Sequence, residues 1–328
     1  MNASKVTPSV SKGKNKRETE RKMGSSALSS SMTSSSSHLL FQHKHNPLLE
    51  SVCFRSTVRL PKTTTTTRAM LSSTTRELAL KDFNQGNALK IISGLQNYNR
   101  DNVAAVVTAA DQGGATHVDI ACDAELVKLA LSLTSLPICV SSVNPHAFLA
   151  AIEAGAQMVE IGNYDSFYNK GLFFSQNEIL KMTQETRKIL PSVVLSVTVP
   201  HMLPLPDQVK LAELLEQEGA DIIQTEGGKC FNPSKSGVFG LIEKATPSLA
   251  STYSIARAIK IPVMCSSGLS AVTAPMALAA GASGVGIGTA VNKLNNVVAM
   301  IAEVRSLADS LGLPTGSRVT AEEISLRN

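Results

Sequence analysis

Four Gly-Ala pairs and three aliphatic-Pro pairs alternate along this chain, and together they leave it few ways to fold. Gly114-Ala115, Gly155-Ala156, Gly219-Ala220 and Gly281-Ala282 each close a helical pattern and open an apolar strand. Leu136-Pro137, Leu190-Pro191 and Ile261-Pro262 open the strands in between. A glycine just past a helix supplies the left-handed cap, and a proline at the first residue of a strand forfeits no ladder donor. With a first strand at Ala88 to Ser93, the others read V-D-I, I-C-V-S-S, M-V-E-I, V-V-L-S-V, I-I-Q-T, V-M-C-S-S and G-V-G-I. Short strands alternating with helices of about 10–15 residues predict βα units and a parallel sheet. Eight such units in about 225 residues predict a closed (β/α)8 TIM barrel over residues 76–312. The alternative, a doubly wound sheet, would carry its glycine fingerprint after the first strand, whereas the glycines here come late.

Helix starts follow the same grammar. Asn144-Pro145 and Thr246-Pro247 each pair an N-cap with a proline at the first helical position, and Ser175 to Glu178 has the form of a capping box. Long connections are expected at Asn163 to Phe174, Pro200 to Pro206 and Glu226 to Ala245, all on the C-terminal side of strands, the catalytic face of a barrel.

Charge is unevenly distributed. Residues 1–70 hold 12 Lys/Arg against 3 Asp/Glu, and residues 71–328 hold 19 against 23. The basic character therefore belongs to the leader, and the body gives no case for nucleic acid. The leader is Ser/Thr-rich and acid-poor, without the apolar core of a secretory signal, and reads as a disordered organelle transit peptide. Met23-Gly24-Ser25-Ser26 suits such a start better than Met1, and processing is expected near Arg68 to Ser73. No run of 18 apolar residues offers a membrane span. Residues 313–328 read as a polar tail. The five cysteines show no C-x-x-C spacing, so neither a disulfide framework nor a metal site is expected.

Alternation along the strands aims Lys90, Asp119 and Glu160 into the lumen and leaves Glu226 at the end of strand six with Gln224 on its face. These four are the candidate catalytic residues. Lys90 is either the counter-ion that two inward carboxylates require or an acid/base or Schiff-base amine; the carboxylates weigh against the Schiff base, because they hold an amine protonated. His201, at the end of strand five, is either an acid/base or a solvated loop histidine, whereas His117 reads as structural. Tyr164 and Asp165, next to Asn163 after strand four, either bind substrate or cap the loop.

The strongest binding signal lies late in the chain. Ser266, Ser267 and Gly268 end strand seven, and Gly286, Gly288 and Thr289 end strand eight. In an α/β barrel these two loops are where a phosphate sits, and glycine lets backbone N–H groups approach it closely. Gly284 and Gly286 have a second explanation, relief of crowding where strand eight closes on strand one. Thr225 to Lys229 lacks P-loop spacing; Lys229 is read as a cation within reach of an anion, and Asn163 and His201 as further ligand contacts.

Five segments carry a family resemblance: A-L-K-I-I-S-G-L at 88–95, V-E-I-G-N-Y-D-S-F-Y at 159–168, S-V-T-V-P-H at 196–201, I-I-Q-T-E-G-G-K at 222–229 and S-S-G-L-S-A-V-T-A-P-M-A at 266–277. Together they resemble the hypothetical chloroplast reading frame twenty-three family, over about Ala88 to Gly312. The resemblance implies an aldolase-type barrel working in the plastid stroma, with the leader as the import signal of a nucleus-encoded copy. It brings no catalytic residues with it.

Two functions are then expected. One is a lyase, isomerase or epimerase acting on a small phosphorylated metabolite; the other is a phosphate-ligand-binding or regulatory barrel without turnover. Flavin or nicotinamide chemistry is a third reading, since such a pocket could hold a cofactor phosphate, but the sequence identifies no cofactor. A homo-oligomer is compatible with the sequence.

Overall fold

The computed structural model describes residues 75–228 and 232–314, and shows a closed barrel of eight parallel strands. The leader, the C-terminal tail after residue 314, Lys229, Cys53 and Cys230 lie outside the described residues. The strands are β1 (Ala88–Ile92), β2 (His117–Ala121), β3 (Ile138–Ser142), β4 (Met158–Ile161), β5 (Val194–Val199), β6 (Ile222–Thr225), β7 (Val263–Ser266) and β8 (Gly284–Ile287). They pair in chain order, and β8 returns to β1 with Lys90 opposite Gly286. This closure excludes the doubly wound sheet.

The helices are α1 (75–84), α2 (Arg100–Gly113), α3 (Ala124–Leu131), α4 (Phe148–Glu153), α5 (Asp165–Tyr168), α6 (Gln176–Ile189), α7 (Leu205–Gln217), α8 (Gly237–Ile255), α9 (Ala274–Ala279), α10 (Thr289–Asn292) and α11 (Val297–Ser310). Among the described residues, none is long and apolar enough to cross a membrane. The four glycines of the Gly-Ala pairs all take positive φ, +88° at Gly114, +115° at Gly155, +87° at Gly219 and +107° at Gly281. An L side chain there would be strained, so this half of the repeat is written into the backbone. Ser175 and Glu178 close the expected capping box.

One expected helix start is wrong. Thr246-Pro247 does not begin α8; the helix starts at Gly237, and Pro247 lies inside it. A mid-helix proline removes one backbone bond and costs about 3 kcal/mol. Here α8 recovers that by burying Ala245, Ser248, Ser251, Thr252 and Ile255 against the barrel. The connection after β6 is correspondingly shorter than the sequence suggested.

The ladder registers sort each strand into two faces. Leu89, Ile91, Val118, Ile138, Val159, Leu195 and Val285 belong to one cluster with the helices, the main hydrophobic core. The lumen is layered instead. At its N-terminal end Ala88, Cys139, Met158, Val194, Ile222 and Met264 pack with Ala79 and Phe83 of α1, which plugs the barrel. His117 belongs to this plug: its Nε2 bonds Ala79 O at 2.9 Å, and its ring lies 4.9 Å from that of Phe83. Arg76 of α1 and Arg187 of α6 both pair with Asp221, which precedes β6. Above the plug the lumen turns polar.

Candidate functional site

The polar layer begins with Lys90, Asp119 and Glu160, which the strand parity turns inward as the alternation predicts. Lys90 Nζ is paired with Glu160 Oε2. That oxygen also accepts from Ser196 Oγ at 3.0 Å, and Oε1 accepts from Gln224 Nε2 at 2.8 Å and Asn163 Nδ2 at 3.1 Å. Asp119 Oδ1 accepts from Ser141 Oγ at 2.5 Å, while Oδ2 has no hydrogen-bond partner among the described residues. All three ionisable side chains are completely buried. Burial alone would lower the Lys90 pKa, but the Glu160 carboxylate, with Cys139 and Asp119 behind it, outweighs that and holds the amine above its ordinary value. Lys90 is thus a locked ammonium, poorly suited to attack a carbonyl. Asp119 goes the other way. Burial pushes its carboxyl up to about 7, against the opposing pull of Lys90 and with help from Glu160.

A second carboxylate sits at the rim. Glu226, just past β6, accepts from Tyr168 Oη at 2.6 Å, from His201 Nδ1 at 3.0 Å and from His201 N at 3.3 Å, all on Oε2. Its Oε1 accepts from Asp165 N at 3.2 Å. Burial, followed by the Glu226 charge, drives the Tyr168 phenol well above its usual range, so Tyr168 serves as a donor. Three strand-end loops therefore converge on one carboxylate. Asp165, His201 and Glu226 each offer a ligand atom within 4.8 Å of the others, and two carboxylates with one imidazole form a donor set suited to a divalent cation. No sequence spacing reveals this grouping, because its members follow three different strands.

Beside this cluster a cavity of about 760 Å³ opens at the C-terminal mouth. Ser266, Ser267, Gly268, Gly286, Gly288 and Thr289 all line it, as do Asn163 and Asp165. Ser267 and Gly268 have φ of +80° and +72°. Such strain at a non-glycine residue persists only where the surroundings hold it, and Ser248 Oγ donates to Ser267 O at 2.6 Å. The N–H groups of Ser267, Gly268 and Gly288 meet no acceptor among the described residues. Lys244 of α8 and Lys293, just past α10, also face the cavity. Neither stood out in the sequence: Lys244 read as part of the long connection after strand six, and a lysine in the helix after strand eight is ordinarily solvated.

The glycines around β8 divide by cause. A Cβ on Gly284 would lie 2.6 Å from Ala88 O, so closure of β8 on β1 requires glycine there, whereas one on Gly286 would crowd side chains on both neighbours, Ser266 Oγ of β7 at 2.9 Å and Ile92 Cδ1 of β1 at 3.1 Å. A Cβ on Gly288 would reach nothing nearer than Ile92 O at 3.5 Å, and its backbone does not need glycine for space. The helix expected from Thr289 is only the four-residue α10, too short to gather much of a dipole. Tyr164 is buried, with no partner for its Oη among the described residues, and stands behind the site rather than in it. Lys90, Asp119 and Glu160 do not line the cavity, whereas Asn163 does and also bonds Glu160, so it separates the two.

A family model described as a protein of unknown function, DUF561, matches residues 75–315. The chain belongs to this family. Relatives named uncharacterized protein ycf23 carry it in algae: that of Pyropia yezoensis is 40% identical over 220 residues, 67% of this chain and 81% of its own length. That of Cyanophora paradoxa is 41% identical over 233 residues, 70% of this chain and 95% of its own. The resemblance drawn from the five segments is thereby shown, and the ycf23 name marks the family as plastid-borne. Among solved structures, the (S)-3-O-geranylgeranylglyceryl phosphate synthase of Thermoplasma acidophilum, in complex with sn-glycerol-1-phosphate, superposes with a TM-score of 0.50 at 13% identity, over 71% of this chain and 96% of that one. At that identity it shows the shared aldolase-type barrel and nothing finer.

Proposed function

We propose that this DUF561 protein is a stromal enzyme of the lyase, isomerase or epimerase type, acting on a phosphorylated metabolite at the C-terminal mouth of its barrel. The observation that carries the reading is the set of unengaged donors, the N–H groups of Ser267, Gly268 and Gly288, which share a cavity with Lys244 and Lys293. Convergent backbone N–H groups form an anion-binding concavity, and two ammonium groups beside it favour a dianion over a neutral ligand.

From the phosphate, the ligand extends toward Asn163 and Asp165, and so toward Glu226 and His201. Glu226 accepts from His201 Nδ1, which orients the imidazole as an acid/base candidate. The Ser/Thr-rich leader serves as the import signal. Lys90, Asp119 and Glu160 support the lumen from below and do not touch the ligand.

Inorganic phosphate is expected to raise the melting temperature of the wild-type protein, and Gly288→Asp to abolish that rise. The variant sets a carboxylate against the anion where a side chain has room. An undiminished rise would show that the anion binds elsewhere. One observation favours a second reading, a binding barrel without turnover: the three inward ionisable residues have no exposed surface. Mass spectrometry of the copurifying small molecule, followed by NMR of that compound with the protein in D2O, separates the two. Carbon-bound deuterium appears only if the site turns over.

A further inference from the structure

We propose that the mouth cavity is an amphiphilic site, built for a phosphate ester whose organic part is an apolar ring or chain rather than a small hydroxylated sugar. This rests on the phosphate reading above and adds the other half of the ligand. The cavity, at about 760 Å³, lies toward the upper end of the range that holds drug-sized ligands, and a three-carbon phosphate would leave most of it to water. Its polar side chains come from the loop after β4, from Lys244 of α8, from the loops after β7 and β8 and from Glu303 of α11. Between them runs an apolar wall of Ile92, Leu95, Leu241, Leu269, Ala271 and Val272. Such a wall offers sugar hydroxyls no hydrogen-bond partners and gains free energy when an apolar group displaces its water.

One stripe of α8 arranges these features in order. Val238, Leu241 and Lys244 are spaced i, i+3, i+6 and so share a helical face. Leu241 and Lys244 both line the cavity. Lys244 stands next to the anion loop, for a Cβ on Gly268 would lie 2.5 Å from Lys244 O. At the other end of the stripe Val238 is 54% exposed and its neighbour Phe239 68%, and across the cavity Val272 is 41% exposed. Large apolar side chains left in water around a pocket mark a surface that something covers. The order along the stripe, apolar rim, apolar wall, then cation, matches an apolar body that ends in a phosphate.

Calorimetry on the protein with inorganic phosphate, glycerol 3-phosphate, phenyl phosphate and octyl phosphate tests this. Phenyl and octyl phosphate are expected to bind at least about tenfold tighter than glycerol 3-phosphate, since a few buried methylenes suffice for that ratio. Equal or tighter binding of glycerol 3-phosphate overturns the apolar subsite and leaves the phosphate reading standing. No binding of any probe, inorganic phosphate included, overturns both. Val272→Asn is expected to cut the octyl preference about threefold to fivefold and leave inorganic phosphate unchanged, whereas Lys244→Gln weakens every probe alike. An octyl preference untouched by Val272→Asn overturns the location. Phosphatidic acid vesicles supply the second source of the same chemistry. Either octyl phosphate or vesicle binding, lost in Lys244→Gln, supports the site, and the one that binds says whether the ester comes free or from a membrane.

Discussion

Glu160 pairs with an ammonium inside the barrel, and Glu226 with an imidazole at its rim. Both close a parallel strand's inward face, and each accepts several hydrogen bonds. They differ in depth. Lys90 and Glu160 expose nothing, whereas the His201 side chain beside Glu226 is 18% exposed. An inward charge is therefore not in itself a catalytic group. Below the Asn163 layer it organises the lumen; above it, beside the mouth cavity, a carboxylate accepts from a phenol, an imidazole and a backbone N–H. On the function proposed above, the lower pair contributes stability and the upper pair function, and that contrast can be tested from both sides.

The largest effect is expected from Lys90→Met. It leaves Glu160 buried without its counter-charge, which costs about 3–5 kcal/mol, read as a drop in the urea midpoint. Adding Glu160→Gln should return more than half of the loss, because a neutral amide no longer needs the ammonium. A single-variant loss below about 1 kcal/mol would mean that water reaches this layer, and the contrast between the pairs would fail.

Glu226→Gln comes next. It replaces one acceptor oxygen with an NH2 facing donors from Tyr168, His201 and Asp165, a mismatch of about 1–3 kcal/mol in stability. Its effect on proton transfer should be the larger one, with solvent exchange into the bound compound abolished while phosphate affinity is retained. If Glu226→Gln destabilised the protein as much as Lys90→Met and left exchange intact, the two carboxylates would have traded roles.

The same depth explains what could be read in the sequence. The barrel was legible because its grammar is local: a left-handed cap at Gly114 or Gly281, a proline opening β7 and alternation along β1 and β4 each act within a few residues. Parity also turned Lys90, Asp119 and Glu160 inward. Parity says nothing of height along the barrel axis, so whether a ligand could reach them stayed open until Asn163 was seen between them and the cavity. The convergence of Tyr168, His201 and Asp165 on Glu226 depends on three loops folding back together, and no spacing encodes it. Lys244 was hidden for a different reason. Pro247 read as a helix start, which left Lys244 in a loop; only the packing of α8 on the barrel carries the helix through that proline and turns the lysine to the cavity.

The smallest effect is also the most specific to the lower region. Asp119 has one oxygen on Ser141 and one without a partner among the described residues, and burial lifts its carboxyl from 3.8 to about 7. The folded protein therefore holds a proton that the unfolded chain releases between those values, and wild-type stability declines as pH rises through that window. Asp119→Asn cannot titrate. Its stability relative to wild type should climb from about pH 4 to about pH 7, by no more than about 1.4 kcal/mol per pH unit, and level off above. Paired urea titrations at half-unit pH steps measure the difference directly. A flat difference would mean that Asp119 stays ionised throughout, with Lys90 shared between two carboxylates. The ammonium would then be doubly held, and Lys90→Met would leave a second buried carboxylate uncompensated, at a cost above the range given for Glu160 alone.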